Sequence, residues 1–347
     1  MTASRDLSAC RVVRLNARIS PVSHEEASLY ARYGLRPIAA EANTPAELNA
    51  VLAGCDGLLV VSSALPGEVI GSLDRCRVIS RLGIGTDKID LEAATRQGIV
   101  VTNVPGCFSE EMADHTLAFL LGLARKLPQM GTAMQSGDWS GARRLSIHNH
   151  RLSQATLGLV GFGDSARLVA QRARAFGLRI LATRRRMDLP DPIAQALGVE
   201  LVELDTLLAE SDYVSLHLPL NAGTRHLLDE SALRKMKPGA CLINTARGAI
   251  VDEDALARLL AEGHLGGAGL DTFEDINVFI GKDGRQESPL LHLDNVLLSP
   301  HVSALSEEGM RLVTSGGIEN LAAVLSGRWP VQERIVNRGV IPREPLV

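Results

Sequence analysis

Leu157-Gly158-Leu159-Val160-Gly161-Phe162-Gly163-Asp164-Ser165-Ala166 decides the fold of this chain. An apolar run ends in Gly-x-Gly-x-x-Ala, and a helical pattern follows from Arg167 to Phe176. Glycines in such a turn let the backbone bend tightly and approach a pyrophosphate, which then rests on the helix N-terminus. The third small residue serves helix–strand packing, so Ala166 suits it as well as glycine. The next apolar run, Leu178 to Thr183, meets Arg184-Arg185-Arg186. A chain that binds NAD places Asp or Glu hereabouts, on the ribose 2′-hydroxyl. Guanidinium groups suit a 2′-phosphate instead. The stretch predicts a dinucleotide site that prefers NADP over NAD. Its cofactor-binding residues are Gly161, Phe162, Gly163, Asp164, Ser165, Arg184 and Arg185.

Outward from this motif, apolar runs and helical patterns alternate. Strands are expected near 157–160, 178–182, 199–202, 213–217, 240–244, 266–271 and 295–298, with helices between them at 204–209, 230–236 and 252–261. The first hundred residues alternate in the same way. Arg11 to Leu15, Pro37 to Ala40, Asp56 to Val61, Arg77 to Arg81 and Gly98 to Val101 read as strands. His24 to Tyr33, Pro45 to Leu52 and Pro66 to Leu73 read as helices; Ser23 and Thr44 offer caps, and Pro45 and Pro66 suit a first turn. Ser109 to Lys126 forms a long helix whose acidic start and basic end complement its dipole. Residues 128–150 are polar and weakly patterned, and read as an arm suited to dimer contacts. Another helix runs from about Glu307 to Leu325, followed by a polar tail. The alternation implies two α/β domains with parallel sheets, the first discontinuous, and a ligand cleft near Gly106 and Pro300.

Composition narrows the function. The 347 residues suffice for two domains, and 46% hydrophobic content supports a packed core. A net charge of −4 gives no reason to expect nucleic acid or an acidic membrane surface as partner. No apolar run reaches membrane-spanning length, and Met1 to Ser8 lacks a signal-peptide core, so a cytoplasmic location is expected. The five cysteines show no metal or redox spacing, and no metal is expected.

Three strand ends carry chemistry. One runs Asn244-Thr245-Ala246-Arg247-Gly248, a second ends at Asp271 with Glu274 and Asp275 close behind, and a third ends Ser299-Pro300-His301. Parallel strands of one sheet bring such ends to one edge. The planar fork of Arg247 suits a substrate carboxylate or carbonyl. His301 suits proton exchange with a hydroxyl oxygen, because its ordinary pKa lies near neutrality.

With these residues in view, the chain resembles the D-isomer-specific 2-hydroxyacid dehydrogenases from about Arg77 to about Gly327. The resemblance rests on Arg81-Leu82-Gly83-Ile84-Gly85-Thr86-Asp87-Lys88-Ile89-Asp90, on Gly98 to Gly106, and on Ala113-Asp114-His115-Thr116. It rests further on Leu216 to Leu220 with Thr224, on Met236 to Ala240, and on Asn244 to Gly248. It implies α/β architecture with two Rossmann-like doubly wound domains. A flavodoxin-like substrate domain would span 1–106 and 303–347, and an NAD(P)-binding Rossmann domain 107–302. It implies catalysis by Arg247 and His301, and backbone amides at Ile84 and Gly85 holding a substrate carboxylate. Asp271 would lie beside the nicotinamide carboxamide. Thr116, His217 and Pro219 would line the cofactor cleft, with Thr224, Thr245 and Ala246 also at the cofactor. A homodimer is implied too.

Two departures stand out. The family glutamate that supports the histidine falls on Ile276, so the role is assigned to Asp275, with Glu274 as the alternative. Arg184 stands where NAD-preferring members carry aspartate. The expected function is hydride transfer between NADP(H), or NAD(H), and a small 2-keto or 2-hydroxy acid. The alternatives are a dinucleotide sensor with little turnover, and a dehydrogenase of a phosphonate-like or inorganic anion.

Overall fold

The computed structural model describes residues 6–18, 20–147, 149–274 and 288–347. Asp275 and the stretch from Ile276 to Glu287 lie outside them. The described residues form two compact units: 6–108 with 306–347, and 109–274 with 288–305.

The first unit opens with β1 (Val12–Leu15), α1 (His24–Arg32), β2 (Ile38–Ala40), α2 (Pro45–Leu52) and β3 (Gly57–Val60). It continues with α3 (Gly67–Gly71), β4 (Val78–Arg81), α4 (Leu91–Arg96) and β5 (Val100–Thr102). The described strands form one parallel sheet in the order β2-β1-β3-β4-β5, the flavodoxin-like order. Strands β1 and β3 are buried throughout, as parallel strands covered on both faces must be. Ser23 accepts from the Glu26 amide at the start of α1. Thr44 and Glu47 form a reciprocal capping box on α2, with Pro45 in its first turn. Pro66 differs from expectation: it is the cap of α3, one residue before the helix.

The second unit begins with α5 (Ser109–Arg125), α6 (Leu127–Gln135), α7 (Trp139–Leu145), β6 (Thr156–Val160), α8 (Asp164–Arg174) and β7 (Arg179–Thr183). Then come α9 (Pro192–Ala196), β8 (Glu200–Leu201), α10 (Leu204–Glu210), β9 (Tyr213–Leu216), α11 (Glu230–Arg234) and β10 (Cys241–Asn244). Finally α12 (Glu253–Ala261), β11 (Gly267–Leu270) and β12 (Val296–Leu298) complete it. The described sheet is parallel, in the order β12-β11-β10-β9-β6-β7-β8. The direction of winding reverses between β6 and β9, which creates the crevice where such folds bind ligands. Helix α5 packs Phe119, Leu120 and Leu123 against the buried residues Leu157, Leu159 and Ile243.

The arm at 128–150 is more regular than its pattern suggests. Helices α6 and α7 pack on each other, and no residue of α6 is buried. Leu127, Met134, Trp139 and Ile147 are exposed instead, so no apolar stripe marks a core-facing side.

Helix α13 (Glu307–Leu325) belongs to the first unit and packs on β3, β4 and α1. The residues after it are polar but not loose. Ile335 bridges Thr102 in antiparallel fashion, the Val336 amide donates to Val101 O at 2.9 Å, and the Asn103 amide donates to Arg334 O at 3.0 Å. The segment thus covers the free edge of β5, an edge that would otherwise invite pairing with another chain. Asn337, only 7% exposed, is its anchor. Its Oδ1 accepts from the Val101 amide at 2.8 Å, and its Nδ2 donates to Ile99 O at 2.9 Å and Thr95 Oγ1 at 3.1 Å. Replacing Asn337 with Ala strands these buried partners, and is expected to cost about 2–3 kcal/mol in urea denaturation.

Candidate active site

Strand register builds the site. Val160 lies opposite both Thr183 and Leu216; Leu216 opposite Asn244; Asn244 opposite Leu270; Leu270 opposite Leu298. Six strand ends therefore form one row. The chain leaving them presents Arg184, Gly161, His217, Thr245 to Arg247, Asp271 and Ser299 to His301 along a single edge.

At the reversal point the backbone leaves β6 through Gly161, whose φ is +96°. A Cβ at Gly161 would overlap the carbonyl of His217, so the close crossing requires glycine. Gly163 then caps α8, and no side chain satisfies the first amides of the helix. Among the described residues the amides of Gly163 and Asp164 meet no acceptor. An uncapped start on an 11-residue helix leaves N–H groups and partial positive charge available to a pyrophosphate. Phe162 turns into the core, at 6% exposure, where Arg167 lies 5.5 Å over its ring. These residues fit a dinucleotide through backbone amides.

His217 sits between two hydroxyls: Ser165 Oγ at 3.2 Å from Nδ1 and Ser215 Oγ at 2.9 Å from Nε2. Desolvation pushes its pKa down to about 4, so the ring is neutral near pH 7. The Thr224 hydroxyl donates to Pro219 O at 2.7 Å and accepts from the Asn221 amide at 2.8 Å, which fixes the loop after β9.

Beyond β7, Arg184 donates to Asp191 at 2.9 Å and also to Leu189 O. Arg167 reaches the same carboxylate at 3.1 Å. Asp191 also caps α9 by accepting from the amides of Ile193 and Ala194. Burial opposes its ionisation, but the Ala194 amide and the two guanidinium groups hold its pKa below the usual carboxylate value. Arg184 is thereby fixed in place. Arg185 and Arg186 are exposed, and their side chains bond to nothing among the described residues.

Arg247 follows a turn built by Asn244, which is 1% exposed. Asn244 Oδ1 accepts from the Ala246 amide at 3.0 Å and Nδ2 donates to Arg247 O at 2.8 Å. Thr245 and Thr116 are both buried, with their hydroxyl oxygens 3.3 Å apart, so Thr116 supports β10 from behind.

Asp271 is wholly buried. Its carboxylate accepts from Ser299 Oγ at 2.5 Å and from the amides of Val302 and Ser303 at 2.9 and 3.0 Å, while its carbonyl takes the His301 amide at 2.7 Å. His115 Nε2 closes the set, 2.9 Å from Ser299 Oγ. These bonds hold His301 at φ +58°, a left-handed conformation that costs a non-glycine residue about 1 kcal/mol. Sequence reasoning gave Asp271 a place at the cofactor and overlooked Ser299 and Asn244. An Asn two residues before a buried turn amide was the available signal for Asn244. Glu274, the alternative support for His301, is engaged elsewhere: its oxygens bond to Arg225 and to His226 Nε2. Ile84 and Gly85 lie in the first unit, half-buried in the turn after β4.

Residues 117–303 match the family model described as D-isomer specific 2-hydroxyacid dehydrogenase, NAD binding domain. The chain is 36% identical over 290 residues to the glyoxylate reductase of Thermococcus litoralis, an alignment covering 82% of this chain and 84% of the relative. It is also 36% identical over 305 residues to the D-3-phosphoglycerate dehydrogenase of Methanocaldococcus jannaschii, covering 87% and 56%. Among solved structures, the TT0316 protein of Thermus thermophilus superposes with a TM-score of 0.80 at 35% identity, covering 92% of this chain and 98% of that one.

The depressed pKa of His217 has a stability consequence. The unfolded chain, with an ordinary value of 6.5, binds this proton before the folded chain does as the pH falls. The stability contributed by the neutral ring is complete above about 6.5 and is lost as the pH falls toward about 4. His217→Gln is expected to reduce the fall in Tm between about pH 7 and about pH 4.5, measured by scanning calorimetry.

Proposed function

The chain belongs to the D-isomer specific 2-hydroxyacid dehydrogenase family, and from that premise we propose that it is an NADPH-preferring reductase of small 2-keto acids of the glyoxylate type. Its class is an NAD(P)-dependent oxidoreductase acting on CH–OH groups. The observation that carries the proposal is the row of strand ends that brings Arg247 and His301 to the edge where the uncapped start of α8 lies.

The nicotinamide supplies a hydride to substrate C2 when bound. The chain's own groups do the rest. The turn from Gly161 to Ser165 holds the pyrophosphate through the amides at the start of α8, Gly163 and Asp164 among them, with His217, Pro219, Thr224, Thr245, Ala246 and Asp271 around the cofactor. Ile84 and Gly85 amides hold the substrate carboxylate, and Arg247 draws charge onto the carbonyl oxygen. His301 donates the proton to that oxygen as C2 accepts the hydride, so the carbonyl becomes a hydroxyl and the ring is later reprotonated from water. Asp275 is proposed as the carboxylate that favours the protonated ring.

Preference for NADPH rests on the Arg184–Arg185–Arg186 cluster and on the absence of an acid at the β7 end. Asp191 fixes Arg184 and leaves Arg185 available for a 2′-phosphate. The exposed apolar residues of α6 and α7 support a homodimer.

Purified protein is expected to oxidise NADPH with glyoxylate faster than NADH; no turnover with glyoxylate, hydroxypyruvate or pyruvate would refute the reading. Arg247→Ala should lower kcat by ~10³-fold or more while NADPH still binds in a fluorescence titration. Arg184→Asp should move the NADPH/NADH ratio of kcat/KM toward NADH by ~10-fold or more.

A further inference from the structure

The turn after β4, Leu82-Gly83-Ile84-Gly85, has all four of its carbonyl oxygens occupied. Arg81 donates from Nη1 to Leu82 O and from Nε to Gly85 O, the latter at 3.0 Å. The Val104 amide donates to Gly83 O at 3.0 Å, and Asn103 Nδ2 donates to Ile84 O at 2.7 Å. The amides of Ile84 and Gly85 are the complement of this pattern: among the described residues they meet no acceptor.

The arrangement is held by more than one residue. Gly83 adopts φ +147°, and a Cβ there would overlap the Arg81 guanidinium. The tight turn and the folded-back arginine therefore require each other. Asn103 is itself clamped: its amide donates to Arg334 O at 3.0 Å, and its carbonyl accepts from Asn320 Nδ2 at 3.0 Å.

Carbonyl oxygens repel an anion, and successive free amides attract one. A turn whose carbonyls are drawn onto a guanidinium, a side-chain amide and a backbone amide offers an anion the donors alone.

We propose that Arg81 and Asn103 are positioning residues, which keep the carbonyls of residues 82–85 turned away so that the amides of Ile84 and Gly85 form a nest for the substrate carboxylate. This rests on the reading that those two amides hold the carboxylate. Neither residue touches substrate in this role. Their loss weakens ground-state and transition-state binding alike, so KM rises while kcat stays.

The test uses the full chain with NADPH bound. Oxamate, an unreactive carboxylate analogue of a 2-keto acid, is titrated against the ¹⁵N-labelled protein while the Ile84 and Gly85 amide resonances are followed. If neither resonance moves in the unaltered protein, the carboxylate reading itself fails. If they move, Arg81→Lys and Asn103→Leu decide the positioning role. Expected for each is a rise of ~10-fold in KM for glyoxylate and in the inhibition constant of oxamate, with kcat and NADPH affinity within about 2-fold. Unchanged KM and oxamate affinity in a folded variant would overturn the proposal. Should Arg81→Lys fail to fold, Asn103→Leu carries the same test, since it nearly keeps side-chain size, adds no charge and removes the donor to Ile84 O.

Discussion

A parallel strand cannot turn back on its neighbour, and this constraint governs the second unit. Each strand must be followed by a crossover that returns the chain to the starting edge. Every strand therefore ends on the same side, and the residues just beyond those ends are brought together without any being adjacent in sequence. The register makes the convergence sharp, since Thr183, Val160, Leu216, Asn244, Leu270 and Leu298 stand in one row. Reversal of winding between β6 and β9 opens a gap in the helical cover at the middle of that row.

Buried polar groups then set what each strand end presents. Asn244, Asp271 and Asp191 are all nearly or fully inaccessible, and each accepts from backbone amides: Asn244 from the turn after its own strand, Asp271 from the turn after the neighbouring strand β12, and Asp191 from the start of α9. A buried carboxylate is costly unless it is fully bonded. Asp271 meets that condition with three donors, and the result is a histidine held in a backbone conformation it would not adopt alone. Asp191 meets it with two amides and two arginines.

Sheet strands were legible in the sequence because apolar runs bounded by Gly, Pro and charged residues have few alternatives. The expected strands of the second unit match β6 to β12 to within two residues at each end. The start of α8 was less legible: the helical pattern was read from Arg167, whereas the helix begins at Asp164, because Asp164, Ser165 and the small Ala166 of the glycine motif form its first turn. Helices α6 and α7 were not legible, because their apolar side chains face outward and leave no buried stripe. The polar C-terminal segment hid its role for a related reason: Asn337 and Arg343 spend their bonds on distant backbone, in β5, its approach and Leu73, which no local pattern reports. His115 was visible only as part of a motif. Its pairing with Ser299 spans 184 positions and needed coordinates to appear. Asp275, assigned to support His301, lies outside the described residues, while Glu274 is committed to Arg225 and His226.

The division of the chain has a bearing on the order in which it folds during synthesis. Strands β3 and β4 of the first unit are covered by α13, which the ribosome starts to deliver at Glu307, 226 residues after β4 ends at Arg81. Among the described residues no segment of the first unit falls between the first and last elements of the second, which can close as soon as β12 has emerged. The earlier strands must meanwhile wait with one face bare and the edge of β5 uncovered. The interval between the two events is when this protein is most open to misassociation, and a nascent-chain holdase would find its surface there rather than in the later half.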